Sequence, residues 1–143
     1  MMNYKISYKF LVVFLVCLFL AGSIWFSKNY HENVRKHKKM YCYESFRGTS
    51  NAAFVIEDLK YKDDLIKYYL QVENGKNPIF NFPLKTLPTD DPVYVLGYVD
   101  ANSMISEVIS YYDRGSHFGG RYLRGFVYTR TLHENPPIKK HDL

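Results

Sequence analysis

Apolar residues fall into two regimes along this chain. Residues 10–26, FLVVFLVCLFLAGSIWF, form an unbroken run of seventeen positions without a charge. Beyond that run the apolar positions recur at short spacings broken by Gly, Pro, Asn and Asp, the pattern of a small folded domain. As a helix, the run rises roughly 25 Å, a little short of the hydrocarbon core of a bilayer at ~30 Å, so it can span with little tilt. Tyr8 and Tyr30 flank it and Trp25 sits near its far end, where amphipathic rings favour the headgroup level. A soluble helix apolar on all sides would need a larger core than 143 residues can supply. The stronger rival is a cleaved signal peptide, with Lys5 and Lys9 as its basic region and Ala21-Gly22-Ser23 as the small residues of a cleavage site. Ile24-Trp25-Phe26 carries the apolar run past that site, which favours an uncleaved signal-anchor.

The remaining pattern predicts short strands and one helix. Residues 41–46 (YCYESF) and 52–59 (AAFVIEDL) read as strands rich in aromatic and β-branched residues. Leu65, Ile66, Tyr69, Leu70 and Val72 recur at helical spacing after Asp63 or Asp64 as N-cap, with Asn74-Gly75 as the stop; a strand ending in an Asn-Gly hairpin turn is the alternative for the same segment. Residues 76–92 hold four prolines and read as an extended passage with short apolar pieces, Ile79-Phe80 and Phe82. Residues 93–99 (VYVLGYV) form a strand turned by residues 100–103; residues 104–112 (MISEVISYY) fit helical spacing as well as a strand, and their β-branched and Tyr content favours the strand. Residues 121–131 (RYLRGFVYTRT) alternate, placing Leu123, Gly125, Val127, Thr129 and Thr131 on one face and Tyr122, Arg124, Phe126, Tyr128 and Arg130 on the other. The fold class expected is α+β: an N-terminal transmembrane helix followed by a small antiparallel β-sheet domain with one packed helix. Its divisions are a basic stub (1–9), the anchor (10–27), a basic juxtamembrane stalk (28–40), the domain (41–133) and a disordered tail (134–143).

Charge changes the picture once it is divided. The chain carries a net charge of +5, which suggests a nucleic-acid partner. Residues 1–40, however, hold seven Lys/Arg against one acid, and residues 41–143 hold twelve against thirteen. The basic excess belongs to the membrane-proximal segment, and a domain at −1 has no field to attract a phosphate backbone, so no nucleic-acid partner is expected. Two Lys/Arg precede the span and five follow it within the juxtamembrane window, which by the positive-inside count puts the domain in the cytoplasm. The short basic N-terminus ahead of an apolar run is the ordinary export layout, and the reading adopted is an extracytoplasmic domain, periplasmic if the cell is bacterial. In the opposite orientation Arg35, Lys36, Lys38 and Lys39 would form a cytoplasmic polybasic patch on anionic lipid. Cys17 lies inside the span and Cys42 is alone in the domain, so no disulfide scaffold is expected, and Cys42 reads as a small buried hydrophobe.

Candidate chemistry is sparse. Residues 113–120 (DRGSHFGG) bring together Gly, an acid, Arg and His, and Arg114, His117 and Arg121 form a weak candidate anion site. A glycine-rich hairpin loop explains the same residues without any ligand. Ser116, His117 and Asp113 are sequence neighbours on a turn and lack the strained elbow of a nucleophilic serine. No catalytic, metal or cofactor residue is assigned, and an enzyme is the less favoured class. The Tyr122, Arg124, Phe126, Tyr128, Arg130 stripe is the candidate partner-binding surface, because Tyr and Arg are enriched at binding hot spots. The function expected is a single-pass membrane-anchored interaction protein, either an accessory subunit of an envelope complex or an immunity-type inhibitor. It would contact lipid through residues 10–27 and a protein through its domain. The alternative is a tethered small enzyme or anion binder using residues 113–117.

Overall fold

The computed structural model describes residues 8–46, 50–112 and 121–138. The chain divides after Lys36 into two units, each of which follows from its own pattern. In the first, the apolar run lies within α1 (Tyr8–Arg35), a continuous helix of 28 residues. It is long and apolar enough to cross a membrane, and none of its most apolar window is buried. Phe10, Phe19, Ile24, Trp25 and Phe26 are each 68–77% exposed. The one hydroxyl in its apolar run is satisfied locally, since Ser23 Oγ donates to the Phe19 carbonyl at 2.8 Å.

The second unit is an antiparallel sheet that nearly closes on itself, with one helix packed on it. Its elements are β1 (Lys38–Glu44), β2 (Asn51–Ala52), β3 (Phe54–Ile56), α2 (Lys62–Glu73), β4 (Lys85–Thr86), β5 (Pro92–Tyr98), β6 (Ile105–Tyr112), β7 (Arg121–Tyr128) and β8 (Leu132–His133). The pairing runs β2-β1-β5-β6-β7-β3-β4, with β8 also on β1. Only Ala53 separates β2 from β3, so the two ends of this path approach each other: β3 pairs with β7 while β2 pairs with Tyr43 and Glu44 of β1. Closure of this kind leaves few unpaired backbone groups at edges.

Turn chemistry accounts for the connections. Between β5 and β6 the Asp100 carboxylate accepts from the N–H groups of Met104 (2.9 Å) and Ile105 (3.2 Å), which lets Ser103 adopt a positive φ of 53°. Asn74 and Gly75 end α2 in a Schellman arrangement, with the N–H of Lys76 bonded to the Gln71 carbonyl and that of Gly75 to the Val72 carbonyl. Gly75 has φ 73°, the left-handed region where glycine carries no side-chain penalty.

The structure corrects several expected boundaries. β1 begins at Lys38, because Lys38–Tyr41 pair with Val95–Pro92 of β5; residues 38–40 therefore belong to the sheet and not to the stalk. α2 is preceded by a 3₁₀ turn, Leu59–Tyr61, and its N-cap position is Tyr61. Asp63 and Asp64 sit in the first helical turn, where they favour the positive end of the helix dipole without capping it. β7 ends at Tyr128, and Thr129–Thr131 form a 3₁₀ turn closed by Thr131 Oγ1 donating to the Tyr128 carbonyl at 2.7 Å. Order continues past residue 133: Lys38 pairs with Glu134 at 2.8 Å, the Tyr43 hydroxyl donates to the Asn135 carbonyl at 3.3 Å, and the Tyr43 and His133 rings stack at 3.9 Å. The tail expected from 134 onward is thus tied to β1 through Asn135.

Both faces of the sheet bury apolar side chains. Cys42, Ala53, Val55, Leu87, Val93, Val108 and Val127 make one cluster. Ile56, Ile105 and Tyr128 make the other with Leu65 and Tyr69 of α2. Leu65, Tyr69 and Val72, spaced at i, i+4 and i+7, are the buried stripe of the helix. Gly125 sits where β7 meets β3 most tightly: a Cβ there would fall 2.8 Å from the Ile56 carbonyl oxygen and would overlap Val55. Gly125→Ala is expected to destabilise the domain by about 1–3 kcal/mol, read as a lowered denaturant midpoint of the detergent-solubilised chain.

Candidate interaction surface

The five residues of the β7 stripe do not share one exposed face. Arg124 is exposed, and its Nε lies 2.6 Å from Glu107 Oε1 on β6. The register places Glu107 opposite Phe126 and Arg124 opposite Ile109, so this is a diagonal cross-strand pair. Phe126 is half-buried against the cluster under α2. Tyr128 is 1% exposed, and its ring stacks on Tyr69 at 5.1 Å with planes 6° apart. Phe46 adds an edge contact to each of those rings. Arg130 is on the 3₁₀ turn beyond the strand, where Nη1 pairs with Glu73 Oε2 at 2.7 Å. Tyr122 is placed by its backbone, opposite Tyr111.

The reading of one exposed stripe is therefore corrected, and the reason is α2. Its apolar stripe must cover part of the sheet, and it covers the Phe126 and Tyr128 end of that face, leaving Arg124 beyond it. The Tyr128 hydroxyl and Glu73 Oε1 are both sealed from solvent without a hydrogen-bond partner among the described residues. Burial, with the nearby Glu73 charge, pushes the Tyr128 phenol above its ordinary range.

Of the candidate anion-binding residues, Arg114 and His117 lie outside the described residues, as does Asp113. Arg121 opens β7 opposite Tyr112. Among the described residues no group of three His, Cys, Asp or Glu is arranged to hold a metal ion. Cys42 is fully buried, its Sγ 3.4 Å from Thr131 Oγ1, and burial pushes its thiol up to about 12. Tyr69 is likewise pushed up by burial, although its hydroxyl accepts the Phe54 N–H at 2.8 Å. Both stay protonated when folded, so their contribution is complete below the ordinary thiol and phenol range and is lost as pH climbs towards their folded values.

The feature missed in the sequence is the loop between α2 and β4. Phe80 packs on Phe54 at 5.3 Å and on Tyr68 at 6.0 Å, and Phe82 stacks on Tyr61 at 6.1 Å. These rings brace a loop whose tip presents Ile79 at 96% exposure and Phe80 at 45%. An open cleft of about 420 Å³ lies between the loop and α2, lined in part by Asp64, Lys67, Tyr68, Ile79 and Phe82. A second, of about 270 Å³, is walled by Glu57, Asp58, Lys60 and Lys85, and their charges are already matched: Lys60 with Asp58 at 3.0 Å and Lys85 with Glu57 at 2.7 Å. The signal available in the sequence was the pair of apolar pieces set between prolines. Compared with family models, curated proteins and solved structures, the chain matches none.

The two ends of the stripe should respond differently to truncation. Tyr128→Ala removes a stacked core ring and is expected to cost about 3–5 kcal/mol, whereas Arg124→Ala, at an exposed ion pair, should change stability by less than about 1 kcal/mol. Denaturant unfolding of both variants distinguishes a core position from a surface one.

Proposed function

We propose that this protein is a single-pass membrane-anchored interaction protein, in which α1 spans a bilayer and the domain beside it engages a protein partner. The observation that carries the reading is α1: a 28-residue helix whose apolar side chains are exposed along its length needs an apolar solvent. The partner reading rests on what the domain offers. Arg124 stands exposed on β7, and Arg is among the side chains enriched at binding hot spots. The extracytoplasmic side is preferred, in keeping with the basic N-terminus ahead of the apolar run. An accessory subunit of an envelope complex and an immunity-type inhibitor both fit a small tethered domain of this kind.

The surface expected to engage the partner is the part of β7 that carries Tyr122 and Arg124, of which Arg124 is exposed. In cross-linked, detergent-solubilised membranes the full-length chain should recover one protein at stoichiometric yield. Arg124→Glu should lose that protein while keeping the fold intact. Recovery of the chain alone, or an unchanged yield with Arg124→Glu, contradicts the reading.

A further inference from the structure

We propose that the loop spanning residues 77–82 is a second lipid contact, with Ile79 and Phe80 seated at the boundary between headgroups and acyl chains; this rests on α1 being a bilayer anchor. Single exposed apolar residues are ordinary on a protein surface. This pair differs in how it is held. Pro78 and Pro83 limit the backbone on either side, and Phe54, Tyr68 and Phe82 pack around Phe80. The tip is a braced projection that keeps Ile79 in solvent, at 96% exposure. Polar amides, Asn77 and Asn81, flank the tip, and Tyr68, an amphipathic ring suited to the interface, lies behind it.

The occupant follows from the chain itself. Two residues, Lys36 and His37, connect the end of α1 to the start of β1, a link that can extend no more than about 11 Å from Arg35 to Lys38. The nine helical residues between Phe26 and Arg35 add roughly 14 Å beyond the apolar run. A domain with a radius of gyration of about 13 Å on so short a tether is confined to the neighbourhood of the bilayer surface. The bilayer is therefore the apolar phase this loop meets whenever its side of the domain turns towards the headgroups. A protein helix is the weaker occupant, because the adjoining cleft carries Asp64 and Lys67 together and offers no single charge sign or continuous apolar wall to read.

The test uses the full chain in phosphatidylcholine–phosphatidylglycerol vesicles. Trp25→Phe removes the one native tryptophan, and Ile79→Trp then places a reporter at a position whose exposure makes it tolerant of substitution. Insertion is expected to blue-shift its emission and to lower it when the lipids carry brominated acyl chains. Ile138→Trp on the same background, at a site 77% exposed outside the loop, should emit as in water and be unaffected by bromolipid. Phe80→Trp serves as a second reporter and should follow Ile79→Trp. Water-like, unquenched emission from residues 79 and 80 in chains that float with the vesicles overturns the loop contact and leaves the anchor standing. Equal quenching at 79 and 138 also overturns it, as non-specific collapse of the domain onto lipid. Chains that fail to float with the vesicles overturn the anchor, and the loop contact with it.

Discussion

Among the described residues nothing covers the apolar run of α1, and that exposure is the constraint on which the account depends. The side chains of α1 that would drive burial in a soluble fold remain exposed. Hydrophobic transfer of some 25 cal/mol per Å² over that surface disfavours water as its solvent. A bilayer would remove the conflict, and a helix, which pairs its backbone polar groups within the segment, meets the requirement that such a solvent imposes. The second unit then has to fold on its own, and it does so with about a hundred residues, using both faces of one sheet. A sheet of this size is stabilised by leaving neither face bare. The interior cluster around Val55, Val93, Val108 and Val127 fills one side, and α2 covers the other through Leu65 and Tyr69.

The Tyr69–Tyr128 stack is where those two layers meet. Tyr69 contributes its ring to the stack and its hydroxyl to the Phe54 N–H, at the point where β2 passes into β3. One side chain thus joins the helix to the strand junction that brings the sheet close to closure. Arg130 and Glu73 bind the same corner from outside, joining the last turn of α2 to the segment after β7. The aromatic bracket of Phe54, Tyr68, Phe80 and Phe82 continues this layer outward to the exposed loop tip.

Much of this architecture was legible in the pattern of residues. The uncharged run at 10–26 and the alternation of residues 121–131 pointed to a helix and a strand because period and composition agree, although the strand itself ends at Tyr128; Leu65, Tyr69 and Val72 favoured a helix over a strand ending in an Asn-Gly turn. The turn at residues 100–103 was legible for the same reason, whereas Asn74-Gly75 suited a helix stop and a hairpin turn alike. Boundaries were less so: Lys38 and Lys39 look like stalk residues, and only their pairing with Tyr94 and Val95 makes them a strand. The candidate site was legible least. Alternation separates the two faces of a strand but cannot say which of them a helix will cover, so Tyr128 looked like a surface residue. The loop at 77–82 was hidden differently, since prolines mark it as irregular while its bracing comes from Phe54 and Tyr68, distant in sequence.

The central claim is that lipid surrounds α1, and its most direct test is the reactivity of Cys17, in the middle of the apolar run. In a Cys42→Ala chain Cys17 is the sole thiol. In membranes opened to give access from both sides, a water-soluble maleimide should leave Cys17 unlabelled, and labelling should become complete once the lipid is stripped away under denaturing conditions. Rapid labelling of Cys17 in those opened membranes would place the helix in water and contradict the account.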